Sequence, residues 1–93
     1  MFTNRYITKG VQLEIPIVLQ IFMWDCINAV PETKDYLQVF RFSVSNGKQK
    51  IIHEQEQPKF KREYLLTVPN PVTTKVYVID SETYSTMLLA EEY

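Results

Sequence analysis

The chain has few of the residues on which recognisable sites depend. It contains one cysteine, one histidine and two glycines among 93 residues. A lone cysteine cannot form an internal disulfide, which favours a reducing compartment. One cysteine and one histidine are too few for a zinc site, and the two separated glycines form no phosphate-cradling loop. The sequence therefore predicts no metal and no cofactor.

Long apolar runs are missing as well. No stretch approaches the roughly 18 apolar residues that suggest a membrane-spanning helix, and residues 1–10 lack the apolar centre of a signal peptide. We therefore expect a cytoplasmic protein without membrane association. The length predicts a single domain, residues 1–93.

Catalytic motifs are also lacking. His53 is the only histidine that could serve Cys26 or Ser85 as a base, and no G-x-S-x-G sequence is present. Glu91 and Glu92 are interpreted as a solvated acidic end. Cys26 is expected to be a small buried core residue. The sequence predicts no catalytic residue, and we expect a protein that is not an enzyme.

The strongest positive signal is the apolar segment from Pro16 to Val30. Pro16 suits the first position of a helix, and Pro31 ends the run. At 100° per residue, one broad apolar face contains Val18, Leu19, Phe22, Met23, Cys26, Ala29 and Val30, with Gln20, Asp25 and Asn28 on the other side.

A second apolar stripe on this helix consists of Ile17, Ile21 and Trp24, at spacing i, i+4, i+7. A helix packed on one sheet needs only one apolar arc. Either the rest of the chain covers the second stripe, or a partner does. An isologous two-fold contact between two copies would bury it. The first hypothesis is therefore a non-enzymatic protein that binds another protein, or itself, through these three residues.

Strand patterns fill most of the remaining sequence. Residues 36–44 alternate, with Tyr36, Phe40, Phe42 and Val44 on the face expected to meet the helix. Asn46-Gly47 predicts a two-residue type I′ hairpin. That turn places Phe42 opposite Ile51 and Phe40 opposite His53. His53 then lies on the face assigned to the core, and we interpret it as a hydrogen-bonded or edge histidine.

Further strands are predicted over residues 4–9, 59–66 and 75–80, with residues 11–15 connecting the first strand to the helix. A helix beginning at Pro58 is the alternative for residues 59–66. Residues 81–93 form either a strand, Tyr84 to Leu89, or a helix capped by Asp80. The predicted fold is α+β, with one long helix packed on a mostly antiparallel sheet of five to six strands.

Charge is unevenly distributed along the chain. The formal net charge is −1, but residues 34–64 carry seven Lys and Arg against four Asp and Glu. Sheets that present aromatic and basic side chains bind single-stranded nucleic acid, and this is the alternative hypothesis. Phe40 and Phe42, however, alternate to the strand face opposite Arg41. The cations concerned are Arg41, Lys48, Lys50, Lys61 and Arg62.

Several segments together resemble a known family: NRYITKG, EIP, the FMW of the helix, DYLQVF, SNGKQKIIHEQEQP and the terminal STMLLAEEY. It is a domain-of-unknown-function family of short proteins from Gram-positive bacteria and their phages, with similar proteins on staphylococcal cassette chromosome elements. The resemblance extends over essentially the whole chain. It implies a mobile-element or phage context and a cytoplasmic location, and it brings no established activity or catalytic residue.

Overall fold

A computed structural model describes residues 1–31 and 33–93. Within them, six strands form one sheet and two helices pack on one of its faces. The elements in chain order are β1 (Arg5–Ile7), α1 (Lys9–Glu14), α2 (Ile17–Asn28), β2 (Leu37–Ser45), β3 (Lys48–Gln55), β4 (Phe60–Leu66), β5 (Thr74–Asp80) and β6 (Ser85–Leu89), followed by a 3₁₀ turn over Ala90–Glu92. The predicted α+β class is confirmed.

The strands are arranged in the order β1-β6-β5-β2-β3-β4. Neighbours pair antiparallel except β1 and β6, which are parallel. The strands β1 and β4 therefore form the two edges of the sheet in the described chain.

The β2–β3 hairpin has the predicted register. Phe42 pairs with Ile51 and Phe40 with His53. Asn46 and Gly47 have φ angles of 51° and 76°, as the two central positions of a type I′ turn require. Strands rather than helices also occupy residues 60–66 and 85–89. The strand predicted over residues 59–66 is therefore confirmed, and of the two alternatives for residues 81–93 the strand is the correct one.

The core lies between the helices and one face of the sheet. Phe40, Ile51, Val76, Val78 and Met87 are fully buried there. They belong to the same apolar cluster as Leu19, Met23 and Ile27 of α2. In the described residues, no helix covers the opposite face of the sheet. We call it the outer face. Along each strand, the residues of the outer face alternate with those of the core.

The prediction of one long helix is wrong, because the helical layer consists of two short helices. The shorter one, α1, occupies the segment expected to be a connection. The Thr8 hydroxyl accepts a hydrogen bond from the Val11 N–H at 3.3 Å and caps α1. Val11 is itself fully buried. Pro16 is the cap of α2 rather than its first helical residue, with φ and ψ of −54° and 144°.

The predicted inward face of α2 is also partly wrong. Gln20 is buried, and its amide donates to the Ile15 carbonyl at 2.8 Å. Val18 and Ala29 are exposed. The buried arc contains Leu19, Met23, Cys26 and Ile27, and is therefore rotated from the predicted one.

Two residues of the predicted β2 core face are exposed as well. Tyr36 precedes β2, and Val44 lies next to its last residue, whereas Phe40 and Phe42 occupy its middle and are buried. The alternation was correct, but burial extends over only the central part of the strand.

The longest helix of the described chain, α2, has 12 residues. No helix in the described residues has both the length and the apolar character needed to cross a membrane.

Candidate functional site

The most prominent surface feature is a group of exposed aliphatic side chains on the helical layer. Ile17, Val18 and Ile21 of α2 are 67%, 56% and 55% exposed, and Leu13 of α1 is 73% exposed. Ile17 and Ile21 lie one helical turn apart, with Val18 beside them. We call these four residues the apolar helix patch.

The patch exists because α2 is apolar around most of its circumference. Its opposite arc already supplies Leu19, Met23 and Ile27 to the core. The sheet contacts only one side of the helix, so the remaining branched side chains face outward. Large exposed aliphatic groups gathered on one surface are typical of interaction sites.

Shallow grooves flank the patch on both sides. One, of about 440 Å³, lies between α1 and α2 and is lined by Leu13, Ile15 and Ile17. The other, of about 360 Å³, lies between α2 and the end of β4 and is lined by Val18, Ile21 and Leu66. Polar side chains, among them Glu14 and Asp25, also line these grooves, so the patch is an apolar ridge between two depressions of mixed polarity.

The three predicted contact residues are placed unequally. Ile17 and Ile21 belong to the patch, but Trp24 is only partly exposed and packs against the core cluster. The guanidinium carbon of Arg5 lies 4.7 Å from the centre of its ring. The same guanidinium donates to the Asn28 side chain at 2.7 Å. Because Arg5 lies over its ring, Trp24 is at the margin of the patch.

Sequence reasoning missed Leu13 and Val18. Leu13 was placed in a connection rather than on a helix, and Val18 was assigned to the buried face. The Thr8 cap three residues before Val11 was the available signal for α1.

Four of the five cations predicted to form one basic surface lie on the same face of the sheet. Arg41, Lys48, Lys50 and Lys61 alternate with buried or inward residues and belong to the outer face. Arg62 does not, because its position pairs with buried His53 on the side of the helices. Its guanidinium carbon lies 5.0 Å from the centre of the Phe60 ring. Including Arg62 in one surface with the other four was therefore wrong.

Two of the outer-face cations are ion-paired. The Arg41 Nε atom lies 2.7 Å from Glu54, and the Lys50 ammonium lies 3.4 Å from Glu63. Both pairs are substantially solvent-exposed, so each contributes little to stability.

Tyrosines that sequence reasoning missed also lie on the outer face. Phe40 and Phe42 are buried on the other face, as predicted, but Tyr77 of β5 pairs with Val39 and faces outward. The Lys75 ammonium lies 5.2 Å from the centre of the Tyr77 ring, and Tyr93 packs edge-on against it at 5.4 Å. Tyr6 and Tyr84 form a second edge-on pair at 6.0 Å.

His53 is fully buried. Its ring stacks on Phe40 at 4.3 Å, and its Nε2 atom lies 2.6 Å from the Gln38 side-chain oxygen, to which it donates. Burial, reinforced by the charge of Arg62, lowers the pKa of His53 from 6.5 to about 4. The ring is therefore neutral at pH 7 and out of reach of a substrate.

A chain of buried amides extends from His53. Gln38 donates to the Gln55 side-chain oxygen at 2.6 Å. Gln55 in turn donates to the carbonyls of Thr33 and Pro58 at 3.1 and 2.8 Å. These bonds hold the segments before β2 and after β3 together, which gives the His53 network a structural role.

The remaining groups considered for chemistry are structural too. Cys26 is buried, as predicted, and burial raises the pKa of its thiol to about 11, which is typical of an inert cysteine. The Glu92 carboxylate accepts hydrogen bonds from Thr8, Gly10 and Leu89. These bonds, that of Thr8 first, lower the pKa of Glu92.

Comparisons with known proteins place the chain in a family. Residues 4–92 match the family model described as a staphylococcal protein of unknown function, DUF960. The chain belongs to the DUF960 family. The match covers the whole apolar helix patch and all six strands.

A structural neighbour of this DUF960 chain is known. It is the crystal structure of a protein of unknown function from Enterococcus faecalis, with a TM-score of 0.81 and 23% sequence identity. The alignment covers 97% of this chain and 90% of that chain, and at this identity it shows a shared fold. The predicted Gram-positive context agrees with both matches. Among curated proteins, none matches.

Proposed function

We propose that this chain is a non-enzymatic, cytoplasmic accessory protein that acts by protein–protein binding through the apolar helix patch, with a second copy of the chain as the partner. The observation that carries the proposal is the exposure of Leu13, Ile17, Val18 and Ile21, each more than half accessible to solvent. Monomers seldom expose such clusters without an interaction that uses them.

The composition around the patch supports a docking role. Its centre is aliphatic, whereas Gln12, Glu14, Asp25 and Asn28 are exposed on the same two helices. An apolar centre surrounded by polar groups is the usual anatomy of a protein interface. A two-fold axis through the patch would place each aliphatic side chain against the same set in the partner.

The energetics support a weak dimer. Fully burying one such side chain contributes about 1.5–3 kcal/mol, and these are already partly covered. Eight of them, four from each copy, would contribute about 8 kcal/mol. Lost translational and rotational freedom costs about 4–15 kcal/mol. At the low end of this cost the net gain is about 4 kcal/mol, so we expect a dissociation constant of about 1 mM.

Sedimentation velocity tests this proposal directly. For wild type, the sedimentation coefficient should rise towards that of a dimer between about 10 µM and about 1 mM protein. Ile21→Glu should remain monomeric, since it places a charge in the contact. Leu65→Glu is the matched control, because Leu65 is 56% exposed against 55% for Ile21 but belongs to β4.

Two results would contradict the proposal. Wild type could remain a monomer over the whole concentration range, or Ile21→Glu could associate as strongly as Leu65→Glu. Circular dichroism should verify that both variants are folded.

The biological setting is part of the proposal. The family resemblance implies a mobile element or a phage, and a small protein with an apolar docking surface and no recognisable catalytic motif fits an accessory role there. Detection of the native protein with products of such an element, in cells that carry one, would support this setting.

A further inference from the structure

The outer face of the sheet carries charge and aromatic rings that the apolar helix patch does not use. Within its strands lie five cations against two carboxylates, Glu54 and Glu63. This excess contrasts with the overall net charge of −1. The cations are Arg41, Lys48, Lys50, Lys61 and Lys75.

Four of these cations follow a diagonal track across the sheet. Lys75 of β5 pairs directly with Arg41 of β2. On β3, Lys50 pairs with Ser43, and Lys48 pairs with Ser45. The three neighbouring strands β5, β2 and β3 therefore each carry at least one of these cations. Such a row of positive charge matches the spaced phosphates of an extended polynucleotide.

Carboxylates lie among and beside these cations, since Glu54 pairs with Arg41 and Glu63 pairs with Lys50. Asp35, Glu54 and Glu56 line a depression of about 330 Å³ beside Leu37, together with the cations Arg41 and Lys59. Lys48 lies at the opposite end of the β2–β3 hairpin, next to the turn. Lys48 therefore lies away from the carboxylates of this depression, and a phosphate at Arg41 or Lys50 would replace an exposed carboxylate partner.

Aromatic rings lie at the start of the basic track. Tyr77 is two residues from Lys75 on β5 and shares its face. Lys75 approaches the ring and has no carboxylate within ion-pair distance among the described residues. Its flexible ammonium can move to a phosphate, which would free the ring face for a base. Tyr6 of β1 and Tyr84, which immediately precedes β6, provide a further pair of rings.

We propose that the outer face binds single-stranded nucleic acid, with phosphates along Lys75, Arg41 and Lys50 and a base stacked on Tyr77. A sheet face with aromatic and basic side chains suits unpaired bases, whose faces are free for stacking. This surface lies on the opposite side of the sheet from the apolar helix patch, so the inference does not depend on the proposed dimer.

Fluorescence anisotropy with a labelled oligothymidylate of about 20 nucleotides tests the proposal. Wild type should bind at about 50 mM salt and weaken roughly twentyfold at about 200 mM, for three phosphate contacts on a single strand. Lys75→Glu and Tyr77→Leu should each weaken binding about tenfold or more. The Leu variant retains apolar contact with Tyr93 and removes the flat ring.

Matched controls separate this surface from the rest of the protein. Lys9→Glu makes the same charge change on α1, in the helical layer, and should bind as wild type does. Ile21→Glu should also bind normally, whatever its effect on association. The proposal is overturned if wild type gives no anisotropy change at low salt, if Lys9→Glu weakens binding as much as Lys75→Glu, or if a duplex binds as tightly as the single strand.

Discussion

The burial of His53 predicts a defined loss of stability in mild acid. The pKa of His53 is 6.5 in an unfolded chain and about 4 in the folded protein. Between these values the unfolded state binds more protons, so the free energy of unfolding increases with pH in this interval. The stabilisation is complete above pH 6.5 and decreases as the pH falls towards 4.

The magnitude follows from the two pKa values. Each pKa unit corresponds to about 1.4 kcal/mol, so the whole effect is about 3 kcal/mol. Linkage applied to these values gives a loss of about 2 kcal/mol between pH 7 and pH 5. Ordinary carboxylates titrate mainly below this interval, so His53 dominates the change.

Urea unfolding at pH 7 and pH 5 measures this loss. His53→Gln is the control, since an amide can still donate to Gln38 but does not titrate. The variant should be less stable than wild type at pH 7 and should lose much less stability on acidification. Because the chain has one histidine, a proton NMR titration reports this pKa without overlap. A midpoint near 6.5 in the folded protein, or equal acid losses in wild type and His53→Gln, would refute the reasoning.

Two other substitutions and one chemical reaction test the fold. Gln55→Ala should reduce the free energy of unfolding by about 2–3 kcal/mol, because it leaves buried partners on two segments without hydrogen bonds; an unchanged urea midpoint would contradict the network. Gly47→Ala should cost about 1 kcal/mol through its positive φ, and equal stability of the two proteins would argue against the type I′ turn. The Cys26 thiol should react with a disulfide reagent such as DTNB only as fast as the protein unfolds; rapid labelling of the native protein would show that Cys26 is accessible.

The parts of the fold that depend on local patterning could be predicted from the sequence. The alternation of residues 36–44 and the Asn46-Gly47 turn determined both the register and the placement of His53 beside Phe40. These predictions succeeded because a slip by one residue would turn Phe40 and Phe42 to the outside. The β4 strand followed from the same period-two pattern, whereas β6 was favoured over a helix by the strand-forming residues Thr83 to Thr86.

The helical layer was harder to predict. Because α2 is apolar nearly all round, periodicity could not determine which arc faces the sheet, and Val18 and Gln20 were assigned to the wrong sides. The α1 helix was missed because its cap at Thr8 is a single residue, which carries a weak signal next to a long apolar run. The set of residues that share the outer face could not be predicted, because it depends on the order of the strands in the sheet. That order places β5 beside β2, so Lys75 meets Arg41 and Tyr77 shares their surface.

The proposed function requires the apolar helix patch to be a contact surface between copies of this chain. Nitrogen–proton correlation NMR spectra recorded over a dilution series test it most directly, since they locate the contact as well as detect it. We expect concentration-dependent shifts at Leu13, Ile17, Val18 and Ile21, with little change in the sheet. Spectra that do not change with concentration, or shifts confined to strand residues, would contradict the claim.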